Sequence, residues 1–187
     1  MTNEVYSKFE LREMGIKVAG SEAYQTASCV GSAEEEMETK IVTKNCRGVV
    51  AKKTVRGTGN GKVSFSMHMP YAIYTEVFGM NLSTLIEGVK AYGSNSVHKN
   101  FAITEHVYDE DGVEMFRAYP NCIIENGIAT KIENGAEEVA EIELEVSVQP
   151  DDYGNGVYEA LATELDENKK TAWMTAFEPD MVQVDHA

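Results

Sequence analysis

Two stretches of the chain alternate strictly between apolar and polar residues, and a period of two commits them to half-buried β-strands. In KVSFSMHM, Val63, Phe65, Met67 and Met69 point one way, and Ser64, Ser66 and His68 the other. In EIELEVSV, Ile142, Leu144, Val146 and Val148 form an apolar face, with Glu141, Glu143, Glu145 and Ser147 opposite. Weaker β patterns place strands over 24–30, 37–43, 48–56, 89–92, 101–108, 113–119 and 122–132, and 31–40 reads as an acidic loop or the lead-in to a strand. Helical spacing is confined to 70–79, with Pro70 in the first turn and Gly79 as a stop, and to about 157–165, where Val157, Leu161 and Leu165 make a stripe. The fold class expected is mostly β: an antiparallel β-sandwich or barrel with one or two flanking α-helices.

The chain of 187 residues is long enough for a core that needs no disulfide or metal staple. It divides into an irregular arm over 1–20, one β-sandwich domain over 21–180 and a tail over 181–187. No apolar run approaches a membrane span, and the N-terminal residues carry no apolar signal core, so the protein is expected to stay where it is made, away from membranes. Cys29, Cys46 and Cys122 are odd in number and lack metal-ligand spacing, and they are read as free thiols. The four histidines offer no zinc-like pair, so neither a metal nor a cofactor is expected.

The stretch RGTGNGK, residues 56–62, invites a phosphate-loop reading and fails it. Five residues before Gly61 stands Arg56 where a glycine is required, and Val63 replaces the Ser or Thr that would ligate magnesium. A strand pattern follows Lys62, so no helix N-terminus is available for a phosphate. The stretch is read as a hairpin turn centred on Gly59, placing Val55 opposite Val63 and Ala51 opposite Met67. On the polar face this register opposes Arg56 to Lys62 with Lys52 nearby, like charge against like. A second hairpin is expected around Asn134-Gly135, with Ile124 opposite Val146, Ile128 opposite Ile142, and Glu125, Glu141, Glu143 and Glu145 gathered on its outer face.

Charge is unevenly placed. Residues 1–100 carry 12 basic and 10 acidic residues, whereas 101–187 carry 4 and 21. Seven basic residues and no acidic one lie from Lys40 to Lys62. Such polarity suits nucleic-acid binding, one end of a subunit docking on the other end of its neighbour, or a solvated surface. Evenly spaced glutamates on a strand face single out no acid/base pair, and no nucleophile-elbow pattern exists, so catalysis is not expected.

The stretches CRGVVAKKTVRGTGNG, SMHMPYAIYTEVFGM, GVKAYGSNSVHKNFAITEHVYDEDG, AYPNCIIENG and IENGAEEVAEIELEVSVQPDDYGNGVYEAL resemble major tail proteins of long-tailed bacteriophages (siphophages) of Gram-positive hosts. The likeness runs over about residues 22–180 and rests on strands, turns and glycines, with no catalytic motif. It implies a β-sandwich with a flanking helix. It also implies hexameric rings that stack around a tape-measure protein into a tube, joined to other tail proteins, through which phage DNA passes without specific binding. The location implied is the virion tail, with assembly in the host cytoplasm. On this reading Lys52, Arg56 and Lys62 lie at an inter-subunit interface, and Glu125, Glu141, Glu143 and Glu145 line the lumen or meet the basic face. The alternatives are a monomeric β-sandwich binding module for carbohydrate or protein, and the tube subunit of a phage-derived bacteriocin or secretion apparatus.

Overall fold

The computed structural model describes residues 6–27, 29–135 and 137–184. The ends of the expected arm and tail, 1–5 and 185–187, lie outside the described residues. The elements are β1 (Glu10–Val18), β2 (Gln25–Thr26), β3 (Cys29–Cys46), β4 (Val49–His68), α1 (Tyr71–Val77), β5 (Phe101–Tyr108), β6 (Glu114–Ile124), β7 (Ile142–Val148), β8 (Tyr158–Leu161) and α2 (Glu167–Ala176). The fold is mostly β with two α-helices, as expected. All pairings are antiparallel, in the order β2-β1-β5-β6-β7-β4-β3, with β8 against the free half of β6. The sheet curls until the start of β1 faces the start of β3 across a cavity of about 310 Å³ lined by Lys8, Leu11, Val30 and Ala33 among others.

The interior follows from the alternation. Val63, Phe65 and Met67 of β4, and Leu144, Val146 and Val148 of β7, turn inward and are buried. They meet Met14, Ile16 and Val18 of β1, Phe101 and Ile103 of β5, and Ile73, Val77 and Phe78 of and beside α1. A second, smaller cluster lies on the outer face of β6, where α2 covers Phe116 and Ala118 with Trp173 and Phe177. The Trp173 indole N–H donates to the Arg117 carbonyl at 3.0 Å, satisfying the one polar atom that this burial removes from water.

Several expectations are corrected. The arm over 1–20 is a strand from Glu10: β1 pairs with β5, and the apparent irregularity of ELREMGIKV is a bulge between Leu11 and Glu13 that resets its alternation. The strand over 24–30 divides into β2 and the start of β3, and 31–40 lies within β3. Residues 89–92 are irregular. The strands over 113–119 and 122–132 join as β6, which accommodates Pro120 at a bulge and ends at Ile124. The helix over 157–165 is displaced: Tyr158–Leu161 form an edge strand on β6, and α2 begins after Asp166, whose carboxylate accepts from the Lys169 N–H at 2.9 Å as an N-cap. The stripe of Val157, Leu161 and Leu165 fits either state over so short a run, and pairing with β6 decides it.

The largest correction concerns the glycine stretch. There is no turn at Gly59, and β4 runs unbroken from Val49 to His68. The turn is Arg47-Gly48, where both residues have positive φ, 51° and 79°, as a two-residue type I′ hairpin requires. Residues 57–61 instead form a bulge: Gly57 pairs with Thr39 and Gly61 with Met37, leaving Thr58, Gly59 and Asn60 against Glu38 alone. The loop 150–156 lies against this bulge. A Cβ on Gly59 would come within 2.7 Å of the Gly154 carbonyl oxygen, and one on Gly156 would strike the Gly59 carbonyl. The glycines serve close backbone approach.

Candidate functional site

Beyond the bulge, β3 and β4 leave the body as a two-stranded ribbon. Among the described residues, 39–46 and 49–57 pair only with each other, and they extend about 25 Å at ~3.4 Å per residue. Side chains on both faces are solvent-exposed. The register sorts them. One face opposes Lys40 to Arg56 and Lys44 to Lys52, with Val42 and Thr54 between; the other opposes Ile41 to Val55. Ile41 and Val55 are 55% and 54% exposed, far above the buried residues of the same strands. Val49 and Val50 beside the turn are exposed as well.

Lys52 and Arg56 therefore share a face, as expected, and like charges do oppose each other, but across different pairs. Lys62 is not among them. It sits six residues further along the same strand, on the body, where its ammonium pairs with Glu125 at 3.2 Å. That hydrogen bond, with the charge of Glu125 behind it, raises the Lys62 pKa. The expected Arg56–Lys62 opposition is absent because the turn that would create it is absent. Among the described residues, Lys40, Lys44, Arg47, Lys52, Lys53 and Arg56 make no ion pair. Directly opposed cations cost a two-stranded ribbon stability, and such a ribbon is marginal alone in water.

The acidic residues do assemble, on the outward face of β3, β4 and β7. Glu143 lies beside Ser66 and Glu145 beside Ser64, while Ser64 and Lys62 oppose Glu34 and Glu36 on the other side. Glu125 continues this surface, its N–H donating to the Glu145 carbonyl at 2.8 Å. Ile124 stands opposite Val146, as the sequence indicated, but no ladder continues to Ile128 and Ile142, so the second hairpin closes through an irregular loop. Glu141 reaches across β4: its carboxylate accepts from the Ser66 hydroxyl at 2.6 Å and lies against Gly31, where a Cβ would collide with it. Glu34 and Glu36 escaped the sequence reading because the glutamate run ahead of Met37 is too polar to look like a strand. Its alternation is visible only once its register with β4 is known.

A third group lies inside the foot of the ribbon. The Arg117 guanidinium, almost wholly buried, donates to Glu105 at 3.1 Å, to Glu159 at 2.6 Å and to Glu35 of β3. Lys8 reaches Glu159 at 2.6 Å and Glu35 at 3.6 Å. Burial works against the Arg117 charge, but Tyr119 and the three carboxylates outweigh it and its pKa is raised. Burial also pushes Glu159 upward, yet Lys8 and Arg117 together hold it below the ordinary carboxylate range. Glu105 is the exception, its carboxyl pushed up to about 7 because desolvation exceeds the pull of Arg117. Sequence reading missed the whole centre: its members come from β3, β5, β6, β8 and the segment before β1, and no local spacing joins them. Among the described residues no group of His, Cys, Asp and Glu is arranged to hold a metal ion, and no helix is long and apolar enough to cross a membrane.

No family model and no curated protein matches this chain. Among solved structures it is similar to the tube-terminating cap of the anti-feeding prophage, at 10% identity and a TM-score of 0.44, over 86% of this chain and 97% of that one. It is also similar to a chain of the anti-feeding prophage baseplate, at 9% identity and a TM-score of 0.42, with the same coverage.

Proposed function

We propose that the chain is a structural subunit of a phage-type tail tube, self-assembling into stacked, hexameric rings that form a conduit for DNA. The observation that carries this reading is the ribbon: a projecting pair of strands with opposed cations, exposed Ile41 and Val55, and no partner among the described residues of its own subunit. The same chain supplies a complementary surface in Glu34, Glu36, Glu125, Glu143 and Glu145. Unlike surfaces at two places on one subunit give heterologous contacts, which close into rings or continue as filaments. Lys52 and Arg56 belong to the contact. Lys62 belongs to the acidic face, as the internal partner of Glu125.

The acidic face receives the ribbon of the next copy or, turned to the lumen, repels phosphate so that DNA slides; a basic wall would bind DNA in a salt-dependent way. The resemblance to major tail proteins supplies the tape-measure protein, the other tail proteins and the virion as the setting. It brings no catalytic group or cofactor. Negative-stain microscopy of the purified chain at high concentration tests the reading. Rings or tubes are expected. A strict monomer at every concentration would overturn it and leave a monomeric binding module.

A further inference from the structure

The Arg117 centre contains two cations, Arg117 and Lys8, and three carboxyl groups, Glu35, Glu105 and Glu159. With every group ionised it carries one excess negative charge inside the fold. Glu105 is 1% exposed, and one of its oxygens has no hydrogen-bond partner. The nearby Tyr119 hydroxyl is also buried without a partner, so no donor satisfies that oxygen as a carboxylate. The groups facing Glu105 are Arg117, Tyr119 and the buried thiol Cys122 from β6, Glu35 from β3 and Lys8 from the segment before β1, with Glu159 of β8 acting through Arg117. Glu105 cannot leave. Glu35 can: its side chain is 20% exposed, and it stands on β3 just below the bulge from which the ribbon departs.

We propose that Glu105 is a proton-operated pin for the ribbon: while its carboxyl is neutral, Arg117 holds Glu35 and the foot of the ribbon fixed, and when it ionises, repulsion of Glu35 frees that foot. The relief is available because Glu35 needs only to turn into water, and the β4 bulge interrupts the ladder between the body and the ribbon. Burial raises the Glu105 pKa in both states, and Glu35 raises it further only while the centre is closed, so the fixed state binds the proton more tightly than the released one. Closure is therefore favoured in acid, weakens as pH rises toward about 7, and changes no further above it. The device belongs to the unassembled subunit, so its test stands apart from whether the chain builds a tube.

Hydrogen exchange of the monomer, corrected for the intrinsic pH dependence of exchange, reads it. Protection of amides over 34–38 and 60–63 should fall, by no more than about tenfold per pH unit, as pH rises toward about 7 and then level off. In Glu105→Gln, which mimics the neutral acid, protection should be high and independent of pH. The same pH slope in that variant, or no slope in the wild type, would overturn the proposal. A carboxyl-carbon NMR titration of Glu105 in the unmodified chain is a second readout that needs no variant. A midpoint near 7 supports the pin, and one near 4.5 refutes it.

Discussion

The same two strands live two lives. Below the bulge, β4 lies between β3 and β7 and buries every second residue, with Val63, Phe65 and Met67 enclosed by the core. Above it, the strands have only each other, and Ile41, Val55 and the cations around them face water. Local β propensity even favours the upper half, which carries Ile41, Val42, Val49, Val50, Thr54 and Val55, whereas the lower halves of the two strands have Val30 and Val63 as their β-branched residues. What differs is the third layer. The lower half is stable because the body covers one face, whereas the upper half holds its shape through a type I′ turn and pairing alone. The lesson is that an extended element need not be completed by the chain that carries it.

Substitutions sharpen this contrast in order of size. Removing the α2 anchor with Trp173→Ala should cost about 4 kcal/mol and lower the melting temperature by about 10 °C or more, because a large buried ring leaves a cavity. Thermal denaturation followed by circular dichroism checks this. Arg117→Met leaves three carboxyl groups facing one another with only Lys8 for company. It should cost about 3 kcal/mol in urea denaturation near neutral pH. The loss should shrink on acidification, as the stranded carboxyl groups bind protons that the unfolded chain does not yet bind. Gly156→Ala drives a methyl group into the Gly59 carbonyl and should cost about 1–2 kcal/mol by loosening loop 150–156 from the bulge. Val55→Ala, although it truncates a β-branched residue in mid-strand, should change monomer stability by less than about 0.5 kcal/mol. A large loss there would show that the ribbon is covered within its own subunit and would erase the contrast.

Part of the body was legible because some of its elements declare themselves. KVSFSMHM and EIELEVSV alternate cleanly, and the helix at 70–79 carries both of its boundary residues, Pro70 and Gly79. Elements whose stability comes from distant partners were not legible. β1 hides its alternation behind a bulge, and β8 resembles a helix until β6 is beside it. The turn was assigned to Gly57–Gly61 because glycine density was taken as turn chemistry. Those glycines instead admit the loop 150–156, a contact between residues almost a hundred positions apart. The true turn, Arg47-Gly48, has a single glycine and a non-glycine residue in the left-handed region, a weaker signal in the sequence. Of the candidate site, the acidic residues Glu125, Glu141, Glu143 and Glu145 and the shared face of Lys52 and Arg56 were readable from period two. The separation of Lys62 from that face, and the centre around Arg117, depend on register and topology that no local pattern encodes.

The most direct measurement compares the wild-type chain with Lys52→Glu/Arg56→Glu at matched high concentration, by negative-stain microscopy together with circular dichroism. The variant should keep the wild-type spectrum and melting transition, because the ribbon contributes little to the body, yet remain monomeric where the wild type forms rings or tubes. Tubes unchanged by the reversal of both charges would contradict the assignment of the ribbon as the contact between subunits.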